Sequence, residues 1–195
     1  LTSDDLDKKQ ISTFVDISAI APGVNVAKNE GFKTVITIRG VGYETNQNAI
    51  ATPSVSYHLD GIYIASPYSL QTEFMDLERI EVLRGPQGTL FGQNSTGGAI
   101  NVITAAPSLE ESSSYGDITV GDYSLIKTRA SFNRPLSETV AVRASFITHK
   151  RDGFTDNLST GQDLDDADSI SARIRFLYQP SDTFRANFTA QIFDE

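Results

Sequence analysis

The sequence predicts two parts of different build: a small α+β domain up to about residue 106, then an antiparallel sheet of about five strands from 107 to 195. Three observations carry this. Apolar and polar residues alternate cleanly after Pro107 but not before it; Asp60-Gly61 separates two short apolar runs; and two β-branched stretches flank a span holding Gly85, Gly88, Gly92, Gly97 and Gly98.

In the first part, Leu6, Ile11, Phe14, Val15 and Ile20 are spaced helically, and the pattern stops at Pro22-Gly23, which predicts an amphipathic helix over Leu6 to Ala21. Val35 to Ile38 reads as a short strand running into Arg39-Gly40. Val55 to Leu59 and Ile62 to Ala65 form a hairpin, because Asp-Gly accepts the positive φ angles of a two-residue turn. Leu70 to Asp76 holds a short helix. Strands at Ile80 to Leu83 and Ala99 to Thr104 are joined by a tight connection that needs its glycines and in which Pro86 fixes one φ.

In the second part, Ile126, Thr128, Ala130 and Phe132 share one face of a strand, and Lys127, Arg129, Ser131 and Asn133 share the other. The scheme repeats from Val140 to Phe146, Ile170 to Tyr178 and Phe184 to Ile192, with Ser114 to Val120 in front. Connections near Pro135 and Pro180 are short, whereas Lys150 to Asp168 is long and polar. This is the loop asymmetry of a transmembrane barrel, with Phe132, Tyr178 and Phe184 near the tight turns where an aromatic girdle lies. A soluble β-sandwich has the same period of two, so the pattern leaves both architectures open.

Composition removes several classes of function. With 16 Lys+Arg against 25 Asp+Glu and a formal charge of -9, the chain does not suit a nucleic-acid partner. Having no Cys excludes disulfides and thiolate chemistry. No stretch approaches the roughly 18 apolar residues of a membrane helix, which leaves a β-barrel untouched. The glycine series lacks the Lys-Ser/Thr of a phosphate cradle. His58 and His149 come with no nucleophile or second imidazole in register, so no catalytic residue, metal site or cofactor is expected. Asp163 to Asp168 reads as a solvated acidic loop without the Gly and Glu of a calcium-binding loop, and Asp76, Glu78 and Glu81 read as ion-pair partners of Arg79 and Arg84.

Three segments in order, Thr37-Ile38-Arg39-Gly40-Val41-Gly42, Ser54 to Tyr63, and Leu77 to Thr104 with its Leu-Arg-Gly-Pro-Gln-Gly-Thr-Leu-Phe-Gly, resemble the plug domain of TonB-dependent outer-membrane receptors. The alternating remainder resembles the first strands of the attached barrel, so the resemblance covers nearly the whole chain. It implies an α+β plug over 1–106 followed by antiparallel transmembrane β-barrel strands over 107–195. The barrel is incomplete in this chain, since the smallest closed ones take about eight strands.

The resemblance further implies a Gram-negative outer-membrane location in contact with lipid, and capture of a scarce small-molecule ligand: a ferric siderophore or other chelate, a vitamin or an oligosaccharide. It also implies energised uptake through the inner-membrane TonB complex, which pulls on an N-terminal box not visible from Leu1 onward. Arg39 and Arg84 match plug arginines that pair with carboxylates of the barrel wall. Ligand contact is expected on plug loops at Tyr43, Asn46, Asn48, Tyr68, Gln93 and Asn94. The competing expectations are a secreted or surface β-rich soluble binding module and a periplasmic hydrolase.

Overall fold

The computed structural model describes residues 1–9, 11–29, 33–42, 53–65, 73–159 and 163–194. The chain divides into two compact units, Leu1–Ala105 and Ala106–Glu195.

The first unit begins with α1 (Ser3–Lys8) and α2 (Ile17–Ile20) where the sequence predicts one helix. Thr2 and Asp5 cap α1 reciprocally: the Thr2 N–H and hydroxyl donate to the Asp5 carboxylate at 3.2 and 3.0 Å, and the Asp5 N–H donates back at 3.3 Å. These bonds hold the Asp5 pKa below its ordinary value. The chain then leaves the helix because the Asp16 carboxylate captures the N–H groups of Ser12 and Thr13 at 3.0 and 2.8 Å, a local bond that competes with helical pairing. Leu6, Ile11 and Phe14 are buried as their spacing predicts, but Ile17 enters the core while Val15 stays exposed.

An antiparallel sheet follows: β1 (Val24–Asn29), an addition to the predicted elements, then β2 (Lys33–Ile38) and β3 (Val41–Gly42). Arg39 (φ 54°) and Gly40 (φ 78°) make a two-residue turn with both angles positive. Then come β4 (Val55–Leu59), β5 (Ile62–Tyr63), β6 (Leu77–Arg84), α3 (Gly88–Phe91) and β7 (Gly98–Thr104), whose strands form a sheet in the order β5-β4-β7-β6. The predicted Asp60-Gly61 hairpin is present, with φ of 51° and 79°. The Asp60 carboxylate accepts the N–H and hydroxyl of Thr104 at 2.8 and 2.7 Å, pinning the end of β7, which runs parallel to β4. Of the helix expected over Leu70 to Asp76, residues 70–72 lie outside the described residues and Glu73 to Asp76 are not helical, while Phe74 and Met75 are buried.

One face of this sheet carries the core. Phe14 meets the rings of Tyr57 and Phe74 edge-on, each at 4.8 Å, above Ile38, Ile80, Ile100 and Val102. The two sheets approach at Gly97-Gly98. A Cβ on Gly97 would lie 2.8 Å from Val41 Cγ1, and one on Gly98 would lie 2.4 Å from the Leu83 carbonyl oxygen and 2.8 Å from Ile38 Cδ1. With φ at 147°, Gly98 is glycine for both space and backbone conformation.

The second unit is an antiparallel meander of β8 (Ser113–Gly121), β9 (Leu125–Pro135), β10 (Val140–Arg151), β13 (Ala167–Ser181) and β14 (Phe184–Asp194), with a small hairpin, β11 (Thr155–Asp156) and β12 (Asp163–Leu164), inside the long connection. Register places the predicted faces as expected: Phe146 opposes Ala130 and Ala172, and Ser145 opposes Ser131 and Arg173. Polarity is inverted relative to a soluble sheet. Phe132, Phe146, Ile174, Phe176, Phe188 and Ile192 are exposed, whereas Ser131, Asn133, Ser145, Ser171 and Arg173 are buried. Asn133 also fixes the entering chain: it accepts the Ser108 N–H at 2.9 Å and donates to the carbonyls of Ser108 and Glu111 at 3.1 and 2.6 Å.

Substituting Ile80→Ala, at a site 1% exposed, should cost about 2–5 kcal/mol. Leu90→Ala, at a site 81% exposed, should change stability by less than about 0.5 kcal/mol. Gly98→Ala should prevent β6 and β7 from pairing. Denaturant titration of the folded protein checks all three.

Candidate functional site

The sequence points to the glycine-rich connection, and the structure shows what it lies on. Residues 85–97 form a strap from the end of β6 to the start of β7, with α3 in its middle. Its ends are tied by Gly85 N–H to the Gly97 carbonyl (3.1 Å), Gln87 N–H to the Ser95 carbonyl (2.9 Å) and Gly97 N–H to the Ser54 carbonyl (2.8 Å). The Ser95 hydroxyl donates to the Gly92 carbonyl at 2.6 Å, and the Asn94 amide donates to the Tyr63 hydroxyl at 2.7 Å.

Of the predicted ligand residues, Gln93 is exposed on this strap, while Asn94 (φ 63°) is half-buried and already engaged by Tyr63. Tyr43, Asn46, Asn48 and Tyr68 lie outside the described residues. Arg39 and Arg84 are both exposed and, among the described residues, make no ion pair. They flank the Gly97-Gly98 step: Arg84 pairs in register with Gly98, and Arg39 follows Ile38, whose Cδ1 abuts the same glycine. Arg79, rather than Arg84, takes the acidic neighbours, bonding to Glu78 and, at 2.8 Å, to Glu81. The Glu81 pKa is held low by Arg79 and then by Asn101, whose amide donates to it at 3.0 Å.

Sequence reasoning missed the polar layer on the sheet's second face. Ser56 and His58 alternate with Val55, Tyr57 and Leu59 on β4, and Asn101 sits beside His58 in register on β7; all three polar residues are buried. This alternation was the available signal. His58 Nε2 lies 3.2 Å from the Ser56 hydroxyl, so His58 does have a hydroxyl partner, contrary to the sequence expectation. The pair is not a charge relay. Among the described residues no carboxylate bonds the His58 ring, and Ser56 is fully enclosed. The His58 ring is packed edge-on by Phe91 of α3 at 4.8 Å and tilted against Tyr63 at 5.6 Å.

In the second unit the polar face is strongly cationic. Lys127, Arg129, Arg143, Arg151, Arg173 and Arg175 lie on it with, among the described residues of the five long strands, a single carboxylate, Asp117, which Arg129 holds at 2.7 Å. The acidic residues collect instead in the connection at 152–168. Among the described residues no group of acidic, His or Cys side chains is arranged to hold a metal.

Burial pushes the His58 pKa below its ordinary 6.5, with the Gly61 carbonyl partly opposing the shift. A lowered histidine pKa means the unfolded chain takes the proton first. The first unit should therefore keep its full stability above pH 6.5 and lose some as the pH falls through that value. A His58→Gln variant should lack that part of the pH dependence, as measured by denaturant midpoints across pH 5 to 8, a window of about three units around the ordinary histidine pKa.

Comparison with known proteins supplies the family. The TonB-dependent Receptor Plug Domain matches residues 1–99. The chain is 33% identical over 150 residues to the pesticin receptor of Yersinia enterocolitica, covering 74% of this chain and 21% of that protein. It is 26% identical over 197 residues to the ferric enterobactin receptor PirA of Pseudomonas aeruginosa, covering 89% and 26%. The ferric yersiniabactin uptake receptor FyuA from Yersinia pestis shares its fold with a TM-score of 0.84 at 24% identity, over 98% of this chain and 30% of that one. Together with the Arg39-Gly40 turn, the glycine-rich strap and the inverted sheet, these matches show that the chain belongs to the TonB-dependent receptor plug domain family.

Proposed function

We propose that this chain is the plug (1–106) and the opening wall strands (107–195) of an outer-membrane receptor that imports a ferric chelate of the siderophore class in a Gram-negative bacterium. The observation that carries the reading is the inverted sheet following a plug-family segment: large apolar side chains of one face are exposed, while the polar, cationic face is half-buried to buried. Water penalises such a sheet and a bilayer rewards it, which disfavours the soluble β-rich module. The chelate class is supported by relatives named as receptors for ferric enterobactin and ferric yersiniabactin. Uptake draws its energy from the TonB complex of the inner membrane and performs no chemistry on the ligand.

Within this reading Gln93 and Asn94 contact the solute, together with Tyr43, Asn46, Asn48 and Tyr68, while Arg39 and Arg84 bind wall carboxylates. Bidentate guanidinium pairs suit the role because they fix a rigid insert and can be exchanged one at a time.

The decisive experiment is uptake of radioiron-loaded chelates by cells with and without the gene under iron limitation. Loss of one ferric chelate, reproduced by collapsing the proton-motive force, is expected; loss of a vitamin or oligosaccharide instead would reject the chelate class. Gln93→Ala should weaken chelate binding by a factor of about 3 to 10, the worth of one hydrogen bond, without altering the fold. Arg39→Ala and Arg84→Ala should each lower plug stability in the intact receptor by about 1.5–3 kcal/mol, and unchanged denaturation would assign them to the plug surface alone.

A further inference from the structure

The apolar face of the second unit's sheet is not evenly filled. In register, Phe132, Ala144, Ile174 and Ala190 make one row across β9, β10, β13 and β14. Two residues along, about 7 Å, Ala130, Phe146, Ala172 and Ile192 make the next. Large and small side chains therefore alternate in both directions. Where Ala144 and Ala172 leave space between Phe132, Phe146, Ile174 and Ile192, the face holds an open apolar groove of about 440 Å³. A strand added beside β14 lies in the plane of the sheet, so it extends this face and does not cover it.

Among the described residues of the five long strands, this face carries two cations, Lys150 and Arg134. Lys150 stands at the long-loop end, with the Asp168 carboxylate at 3.7 Å. Arg134 stands at the tight-turn end, exposed and, among the described residues, without an ion pair. Its row continues through Val142, Phe176 and Phe188, which offer it no acceptor. Along β9 it lies two residues, about 7 Å, from Phe132 at the rim of the groove. At the same end Tyr178 and Phe184 meet edge-on at 6.1 Å, as amphipathic rings do at the head-group level of a bilayer. A guanidinium on a lipid-facing surface costs little at that level and far more at the midplane. Its planar fork matches a phosphate.

We propose that Arg134 and the groove together hold one glycerophospholipid of the periplasmic leaflet, with the guanidinium on its phosphodiester and an acyl chain over Ala144 and Ala172. The inference rests on the reading of residues 107–195 as a membrane wall, whose short turns face the periplasm. The order of parts matches such a lipid: a free cation at the head-group level, then an apolar groove beginning about 7 Å deeper in the hydrocarbon. The other end of the face offers no equivalent, because Asp168 already faces Lys150. A lipid gripped at head and tail anchors β9 and β10 at a fixed depth in the bilayer.

The test is native mass spectrometry of the intact receptor in detergent, with palmitoyl-oleoyl phosphatidylglycerol, lipid A and inorganic phosphate as separate probes. One phosphatidylglycerol per receptor should be retained, and neither lipid A nor inorganic phosphate should displace it. Arg134→Gln should weaken its binding about tenfold or more, the worth of a charge-assisted hydrogen bond. Ala172→Leu, which fills the groove and leaves the charge in place, should weaken it as well, while Lys150→Gln should leave it unchanged. Unchanged binding in either of the first two variants would overturn the proposal. So would an equal loss in Lys150→Gln, the mark of general surface charge, or a preference for lipid A, which belongs to the opposite leaflet. Fractionation with outer membranes tests the wall reading separately. A receptor missing from that fraction fails both readings, whereas one present there with indifferent variants fails the lipid site alone.

Discussion

The constraint on which the second unit depends is the solvent its sheet requires. Phe146, Phe176 and Phe188 sit on the exposed face while Ser131, Ser145 and Arg173 are buried, the reverse of what water selects. Backbone pairing runs along the inner strands β9, β10 and β13, while β8 and β14 are the sheet's two edges and each pairs on one side only among the described residues. The side chains then sort by face: small and cationic residues on one, aromatic and β-branched residues on the other. Gathering carboxylates into the connection at 152–168 leaves the five meander strands free of acidic side chains apart from Asp117 and, at strand ends, Asp168 and Asp194.

In the first unit the equivalent constraint is the crowding at Gly97-Gly98. The β2–β3 hairpin can approach the four-stranded sheet only because no Cβ intervenes there. That approach brings Arg39 and Arg84, from segments far apart in sequence, to either side of one step. It also sets where the strap ends. The two faces of the same sheet thus differ in chemistry: an apolar side that carries the core and a buried polar side of Ser56, His58 and Asn101.

Much of this was legible beforehand. Asp60-Gly61 predicted its hairpin because two consecutive positive φ angles admit few residues, and the alternation after Pro107 predicted both the strands and the composition of their faces. The Leu6 to Ala21 helix failed for a local reason: the Asp16 carboxylate bonds Ser12 and Thr13 more closely than apolar spacing can reveal. Ser56, His58 and Asn101 were visible as polar positions in strands but not as a layer, since β4 and β7 meet through a parallel pairing that spans some forty residues.

The order of amino acids by itself determined the strand periodicity, the tight turns and the family signature, because each rests on residues within a turn or two of one another. Only the tertiary structure decided which face of the second sheet is buried, that Arg79 rather than Arg84 takes the acidic partners, and that the strap's Phe91 packs on a buried histidine. Burial and pairing are properties of neighbours brought together from distant positions, and a period of two reads the same whichever side meets solvent.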